Sequence, residues 1–204
     1  MLLTKNQLVL ENERVRLISL DSSHFAELLP LVNEDKIWRW SGSNAGNEHE
    51  LRNYIEIALE ERQAGIRLPF VIFDKDKNTI CGSTSYGAIS NRHLRVEIGW
   101  TWLGVEHQRT GLNRNAKFVL LSHAFENLKF ERVEFKTDLN NTPSRNALKA
   151  IGAFEEGVLR SHITNWQGNR RDTIYYSILI SEWERIKNSI FASCSPFSFT
   201  TTHE

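Results

Sequence analysis

Residues 96–114 read VEIGWTWLGVEHQRTGLNR, and the change of character along them decides the fold. Apolar Val96 and Ile98 alternate with Glu97 and Gly99, the period of a strand, and the strand extends over 94–103. Gln108, Arg109, Thr110 and Gly111 then break the pattern. From Gly111 the apolar positions Ala116, Val119, Leu120, Ala124 and Phe125 recur at helical spacing, which predicts a helix over 111–127. A strand is expected at 132–138. Residues 94–138 therefore form one strand–helix–strand unit.

The flanking elements have a different order. Residues 14–20 (RVRLISL) alternate and read as a strand. Asp21 with two serines starts a helix through about 33, with Phe25, Leu28, Leu29 and Val32 inward. A Ser-, Gly- and Asn-rich loop carries Trp38 and Trp40. Asn47 with Glu50 resembles a capping box for a helix to about 64. Strands at 68–74, 79–90 and 94–103 would form an antiparallel meander around the polar turn DKDKN. After 138 come a short helix at 143–151, begun by Pro143 and ended by Gly152, two strands at 154–164 and 171–180, and a helix at 181–190. Residues 192–204 read as a frayed tail. This order predicts an α+β, three-layer α/β/α fold with a mixed, mostly antiparallel sheet of about seven strands.

Composition narrows the function. The 204 residues carry 25 basic and 25 acidic side chains, and a neutral chain argues against direct nucleic-acid binding as the main role. Cys81 and Cys194 fit no metal-ligand spacing, so no metal is expected. No apolar run is long enough for a membrane helix. The N-terminal stretch turns polar before a signal-length core forms, and a cytoplasmic location follows as the expectation. His93, His107, His123 and His162 are scattered, with no nucleophile-elbow pattern.

The loop before the 111–127 helix is the chemical feature. A helix N-terminus offers unpaired N–H groups and a positive dipole end, and Gly111 lets backbone approach a ligand. Such a site suits a diphosphate, with Arg109 and Arg114 able to add charge. One glycine before a helix is also compatible with an ordinary left-handed turn.

The spacing Gln108-x-x-Gly111-x-Asn113, in its strand–loop–helix setting, resembles the Q/R-x-x-G-x-G/A signature of the GNAT acyltransferase superfamily. The segments IGWTWL, TGLNRNAK and NNTPSRNALKAIGAFEEGVLR resemble its RimJ/RimL-type branch, the ribosomal-protein N-terminal acetyltransferases. Asn113 departs from the pattern, which has Gly or Ala there. The resemblance implies an acyl-CoA N-acyltransferase domain over 1–191 with a flexible tail at 192–204. It implies acetyl-CoA as co-substrate, held by backbone near Trp102 and Leu103 and by N–H groups of the segment Gln108, Arg109, Thr110, Gly111, Leu112 and Asn113. Asn141 would bond the pantetheine, and Ser144 would protonate the leaving thiolate. Glu97 would be the general base, with Trp38 and Trp40 lining the acceptor cleft. Without the resemblance, Glu97 reads equally as a strand's solvent-face charge and Ser144 as a first-turn residue. Tyr175 and Tyr176 are alternative acids, though strand packing suits them better.

The implied reaction is acetyl transfer to a primary amine in a ternary complex. The implied acceptor is a protein or peptide N-terminal α-amino group; a small-molecule amine is the alternative. A non-catalytic CoA-binding protein is a third reading, and a homodimer a further candidate assembly.

Overall fold

The computed structural model describes residues 7–202. Strands β1 (Gln7–Glu11) and β2 (Val15–Ser19) form a hairpin. Helices α1 (Phe25–Leu28) and α2 (Asp35–Trp38) are single turns, and α3 (Glu48–Gln63) is long. Strands β3 (Arg67–Asp74), β4 (Thr79–Ser90) and β5 (Arg95–Leu103) follow as a meander. Helix α4 (Leu112–Ser122) crosses to β6 (Arg132–Asp138). Then come α5 (Thr142–Ala150), the hairpin β7 (Phe154–Thr164) and β8 (Arg170–Leu179), α6 (Ile180–Ser189) and β9 (Ser198–Thr202). The sheet order is β7-β8-β6-β5-β4-β3-β2-β1-β9. All pairs are antiparallel except β5 with β6.

Both sheet faces are covered, as expected for alternating strands with apolar residues on each side. One core joins Leu112, Ala116, Leu120, Leu148 and Ile186 to Leu17, Phe70, Val96, Ile98, Phe135 and Ile174. The other joins Leu28, Val32, Trp38, Leu51, Tyr54 and Ala58 to Val71, Ile80 and Trp102. Helices α4, α5 and α6 thus lie on one face and α1, α2 and α3 on the other.

The sheet has nine strands rather than about seven. The first addition is β1. The second lies in the segment expected to fray: Ser198–Thr202 pairs with β1, with Phe199 opposite Leu10. Phe197 and Phe199 stack on each other at 6.0 Å and cover the buried ring of His123. Tertiary pairing orders a Ser- and Thr-rich stretch whose composition alone reads as loose. Residues 203–204 lie outside the described residues.

Two helices also differ. The helix expected over 21–33 is capped by Asp21, whose carboxylate accepts from Ser23 N. It breaks into a 3₁₀ turn at Ser22–His24, the α turn α1 and a second 3₁₀ turn at Leu29–Leu31, where Pro30 has no N–H for a continuous ladder. The helix expected to reach 127 leaves regular α geometry after Ser122 and ends in a wider turn at His123–Asn127.

Gly82 in β4 lies opposite Leu103, and a Cβ there would stand 2.1 Å from the Trp102 carbonyl oxygen. Gly82→Ala should lower stability by about 3 kcal/mol, the scale of forced overpacking. Urea denaturation measures it; a loss under about 0.5 kcal/mol would mean that β4 and β5 are not held this closely.

Candidate active site

Strand β5 carries a bulge. Ser85 pairs with Gly99 and Ser83 with Trp102, so Thr84 faces both Trp100 and Thr101. Trp100 takes a φ of 50°, unusual for a bulky residue and typical of a local kink. Its ring occupies the space over Gly87, where a Cβ would come within 2.2 Å of it. The Arg67 guanidinium lies over the ring, 4.7 Å from its centroid. Thr84 and Thr101 join their hydroxyls at 2.8 Å across the bulge.

The consequence appears on the other edge of β5. It pairs with β6 only through Arg95, Val96 and Glu97, opposite Arg132, Val133 and Glu134. Beyond that point β5 follows β4, and β6 stays with β8 as far as Asp138 and Thr173. The two parallel strands part toward their C-terminal ends. The N-terminus of α4 follows β5 at this end, and that of α5 follows β6. A wedge between parallel strands, flanked by helix N-termini, is where open α/β sheets take ligands.

The loop entering α4 has the expected form. Gly111 caps the helix with a φ of 87°, a conformation natural to glycine. Gln108, Arg109, Thr110 and Gly111 are exposed, whereas Leu112 is buried and anchors the turn. The first turn carries no acidic residue, so nothing offsets its positive end. Thr110 Oγ1 donates to the His107 carbonyl at 2.7 Å. Gln108 Nε2 donates to the Leu103 carbonyl at 3.1 Å, tying the loop to the strand end expected to meet the ligand. Arg114 turns elsewhere: its guanidinium bonds the Ile190 carbonyl and lies 5.9 Å from the Phe191 ring. Asn113 Oδ1 is shielded from solvent and accepts no hydrogen bond.

Glu97 is 8% exposed and is the last β5 residue paired to β6. Its Oε2 accepts from Lys136 Nζ at 2.6 Å. Burial works to lower the Lys136 pKa, but the hydrogen bond and charge of Glu97 outweigh it, and that pKa stands above the usual lysine value. Lys136 also lies 5.2 Å from the Tyr175 ring, which His162 flanks at 5.9 Å. Sequence reasoning missed Lys136. The signal was available: two residues past the position paired with Glu97, a strand side chain returns to the same face. Tyr176 points the other way, fully buried, with its hydroxyl donating to Glu155 at 2.8 Å.

Asn141 caps α5, its Oδ1 accepting from Ser144 N at 3.1 Å. The carbonyl oxygen is thereby used within the chain, and the amide nitrogen remains for a ligand. Ser144 is half-buried in the first turn, at the wedge end of α5. Trp38 and Trp40 separate. Trp38 is 2% exposed, donates to the Val32 carbonyl at 2.9 Å and packs 5.3 Å from Trp102. It backs the second core instead of lining an open cleft. Trp40 is half-buried, with the Arg39 guanidinium 4.9 Å from its ring. The β7–β8 hairpin pins this segment: Trp166 Nε1 donates to the Trp38 carbonyl at 2.9 Å and Arg171 Nη1 to the Trp40 carbonyl at 2.8 Å. Among the described residues no group of His, Cys, Asp and Glu could hold a metal ion.

A glycine-capped helix N-terminus, an opened strand pair and a buried carboxylate where the pairing ends are features that suit an acyl-CoA-type transferase. The family model of the acetyltransferase (GNAT) domain matches residues 14–153. The chain belongs to the GNAT acetyltransferases and is an N-acetyltransferase. It is similar to YdaF of Bacillus subtilis, whose name assigns it by inference to the ribosomal N-acetyltransferases, at 29% identity over 85% of this chain and 94% of that one. A GCN5-related N-acetyltransferase from Brucella melitensis superposes with a TM-score of 0.84, at 26% identity over 90% and 84% of the chains. Mycobacterium smegmatis RimJ, solved with CoA-disulfide, shares the fold with a TM-score of 0.77, at 20% identity over 94% and 96%.

Removing the Lys136 ammonium would leave the Glu97 carboxylate without its partner in a mostly buried place. Lys136→Met should therefore cost about 2 kcal/mol, reduced from the fully buried case because Lys136 is partly exposed. Chemical denaturation checks this; an unchanged midpoint would show that solvent already screens the pair.

Proposed function

We propose that the protein moves an acetyl group from acetyl-CoA to a protein or peptide N-terminal α-amino group, by direct attack in a ternary complex. The observation that carries this reading is the wedge between β5 and β6, with the bare N-terminus of α4 at its mouth and Glu97 at its apex. The residues present fit this co-substrate. N–H groups of the segment Arg109–Asn113 would hold the diphosphate. Backbone of Trp102 and Leu103, free of β6, would run beside the pantetheine, and the Asn141 amide would bond it.

An amine at neutral pH is mostly ammonium, so one proton must leave before attack. The Glu97 carboxylate takes it, directly or through a water. The amine lone pair then attacks the thioester carbonyl carbon, the C–S bond breaks, and the sulfur leaves as thiolate. The Ser144 hydroxyl returns a proton to that sulfur. Positioning the two reactants supplies much of the acceleration, and backbone N–H groups facing the carbonyl oxygen supply more.

The protein N-terminal acceptor is supported by the name of YdaF and by the resemblance to the RimJ/RimL branch. One observation favours a small amine instead. The β7–β8 hairpin holds the segment around Trp38 and Trp40 by two hydrogen bonds, and an acceptor side closed by such contacts would suit a small amine.

Mass spectrometry of reactions with mixed peptides and small amines separates these acceptors. The expected product is a peptide about 42 Da heavier, one acetyl group in place of one hydrogen, with modification at the α-amine. Modification of small amines alone would assign the second acceptor, and no product with any amine would remove the catalytic reading. Glu97→Gln should lower kcat roughly a hundredfold while acetyl-CoA affinity stays within about twofold. An unchanged kcat from pH 6 to 9 (roughly, the range for amine acceptors) would take Glu97 out of the base role. Full activity of Ser144→Ala would do the same for the acid.

A further inference from the structure

Helix α4 keeps two under-used polar groups on the side it presses against the sheet. Lys117 is 5% exposed, within the buried run from Ala116 to Ser122. Its Nζ donates to Thr101 Oγ1 at 2.7 Å and stands 6.0 Å from the centroid of Phe135. Thr101 belongs to β5 and Phe135 to β6, and both lie past the last pair that joins those strands. The Lys117 nitrogen therefore stands over the gap where β5 and β6 separate. It has three donor protons, and Thr101 takes one. Burial lowers its pKa to about 7, with no charged group close enough to offset that.

One turn earlier, Asn113 Oδ1 is the shielded acceptor that receives nothing. Residues four apart share a helix face, so Asn113 and Lys117 look toward the same surface. The helix rises about 6 Å between them, which matches two residues of strand. Asn113 lies one turn nearer the N-terminus of α4, the end that follows β5, and Lys117 one turn deeper, at Thr101. The gap is thus overlooked by a spare acceptor toward its mouth and a spare donor deeper in. A shielded acceptor with no partner and a buried amine with a single one are costly in the free chain. An apolar pair such as Ala and Leu would fill the same space without that cost.

A secondary amide offers the complementary pair, one N–H and one C=O on neighbouring atoms, and the pantetheine arm of CoA contains two such amides. Resting on the acetyl-CoA reading above, we propose that Asn113 and Lys117 form a subsite for one pantetheine amide, Asn113 Oδ1 accepting its N–H and Lys117 Nζ donating to its carbonyl. This gives Asn113, which stands where the superfamily pattern has Gly or Ala, a role in holding the co-substrate's arm.

The test compares acetyl-CoA with adenosine 3′,5′-bisphosphate, which has phosphates but no arm, by isothermal titration. Wild type should bind both. Lys117→Met should weaken acetyl-CoA about tenfold or more, and Asn113→Ala about fivefold, the scale of one charged and one neutral hydrogen bond. Neither should move the bisphosphate beyond about twofold on the same scale. Lys117→Gln, which keeps a donor, should recover part of the loss. The thermal midpoint of free Asn113→Ala should equal or exceed that of wild type, because the substitution removes an unsatisfied buried acceptor; a merely structural role would lower it. Should Lys117→Met fail to fold, Asn113→Ala carries the test. Wild-type affinity for acetyl-CoA in both variants, or an equal loss of both ligands, overturns the subsite. Failure of wild type itself to bind acetyl-CoA strikes the co-substrate reading instead.

Discussion

The site depends on one constraint: β5 cannot stay paired to both neighbours once it bulges at Trp100. An added residue must be accommodated on one edge. Against β4 the ladder resumes at Ser83 and Trp102. Against β6 it does not, and the parallel pairing ends at Glu97. Side chains enforce the bulge: Arg67 and Gly87 hold the Trp100 ring, and the Thr84–Thr101 contact bridges it. Backbone groups that a regular sheet would bury in pairs are left facing a wedge, where an extended ligand arm can take them.

The rest of the molecule places groups around that wedge. The α4 crossover brings a helix N-terminus to its mouth, and α5 brings a second. The strand period puts Glu97 on the face opposite α4, away from the core that holds Val96 and Ile98. Lys136 and Tyr175 form the wall beside Glu97. The second core, with Trp38 against Trp102, supports β5 from the face opposite α4. Packing and chemistry are therefore linked through this strand, and a change at Trp102 or Gly82 is felt at the site.

The central unit was legible in the sequence because its signals are local. Period-2 alternation, a polar loop with Gly111 and a helical stripe follow one another without conflict, and β6 begins and ends where its residues predict. What escaped was non-local. Strand β9 forms because β1 offers an edge and His123 offers a surface for Phe197 and Phe199, neither visible in the run ASCSPFSF. The bulge was hidden too, since Trp100 reads as an ordinary strand aromatic. Lys117 was missed for a different reason. It lies four residues after Asn113 and three before Leu120, on the buried stripe, but a lysine inside an apolar helix reads as solvent-facing.

Isothermal titration of acetyl-CoA, read together with backbone amide NMR shifts, tests the central claim most directly. The account predicts saturable binding at micromolar concentration, with the largest shifts in Arg109, Thr110, Gly111, Leu112 and Asn113 and in Thr101, Trp102 and Leu103 of β5. Absence of heat at high micromolar concentration, or shifts confined to residues away from the β5–β6 wedge, would contradict it.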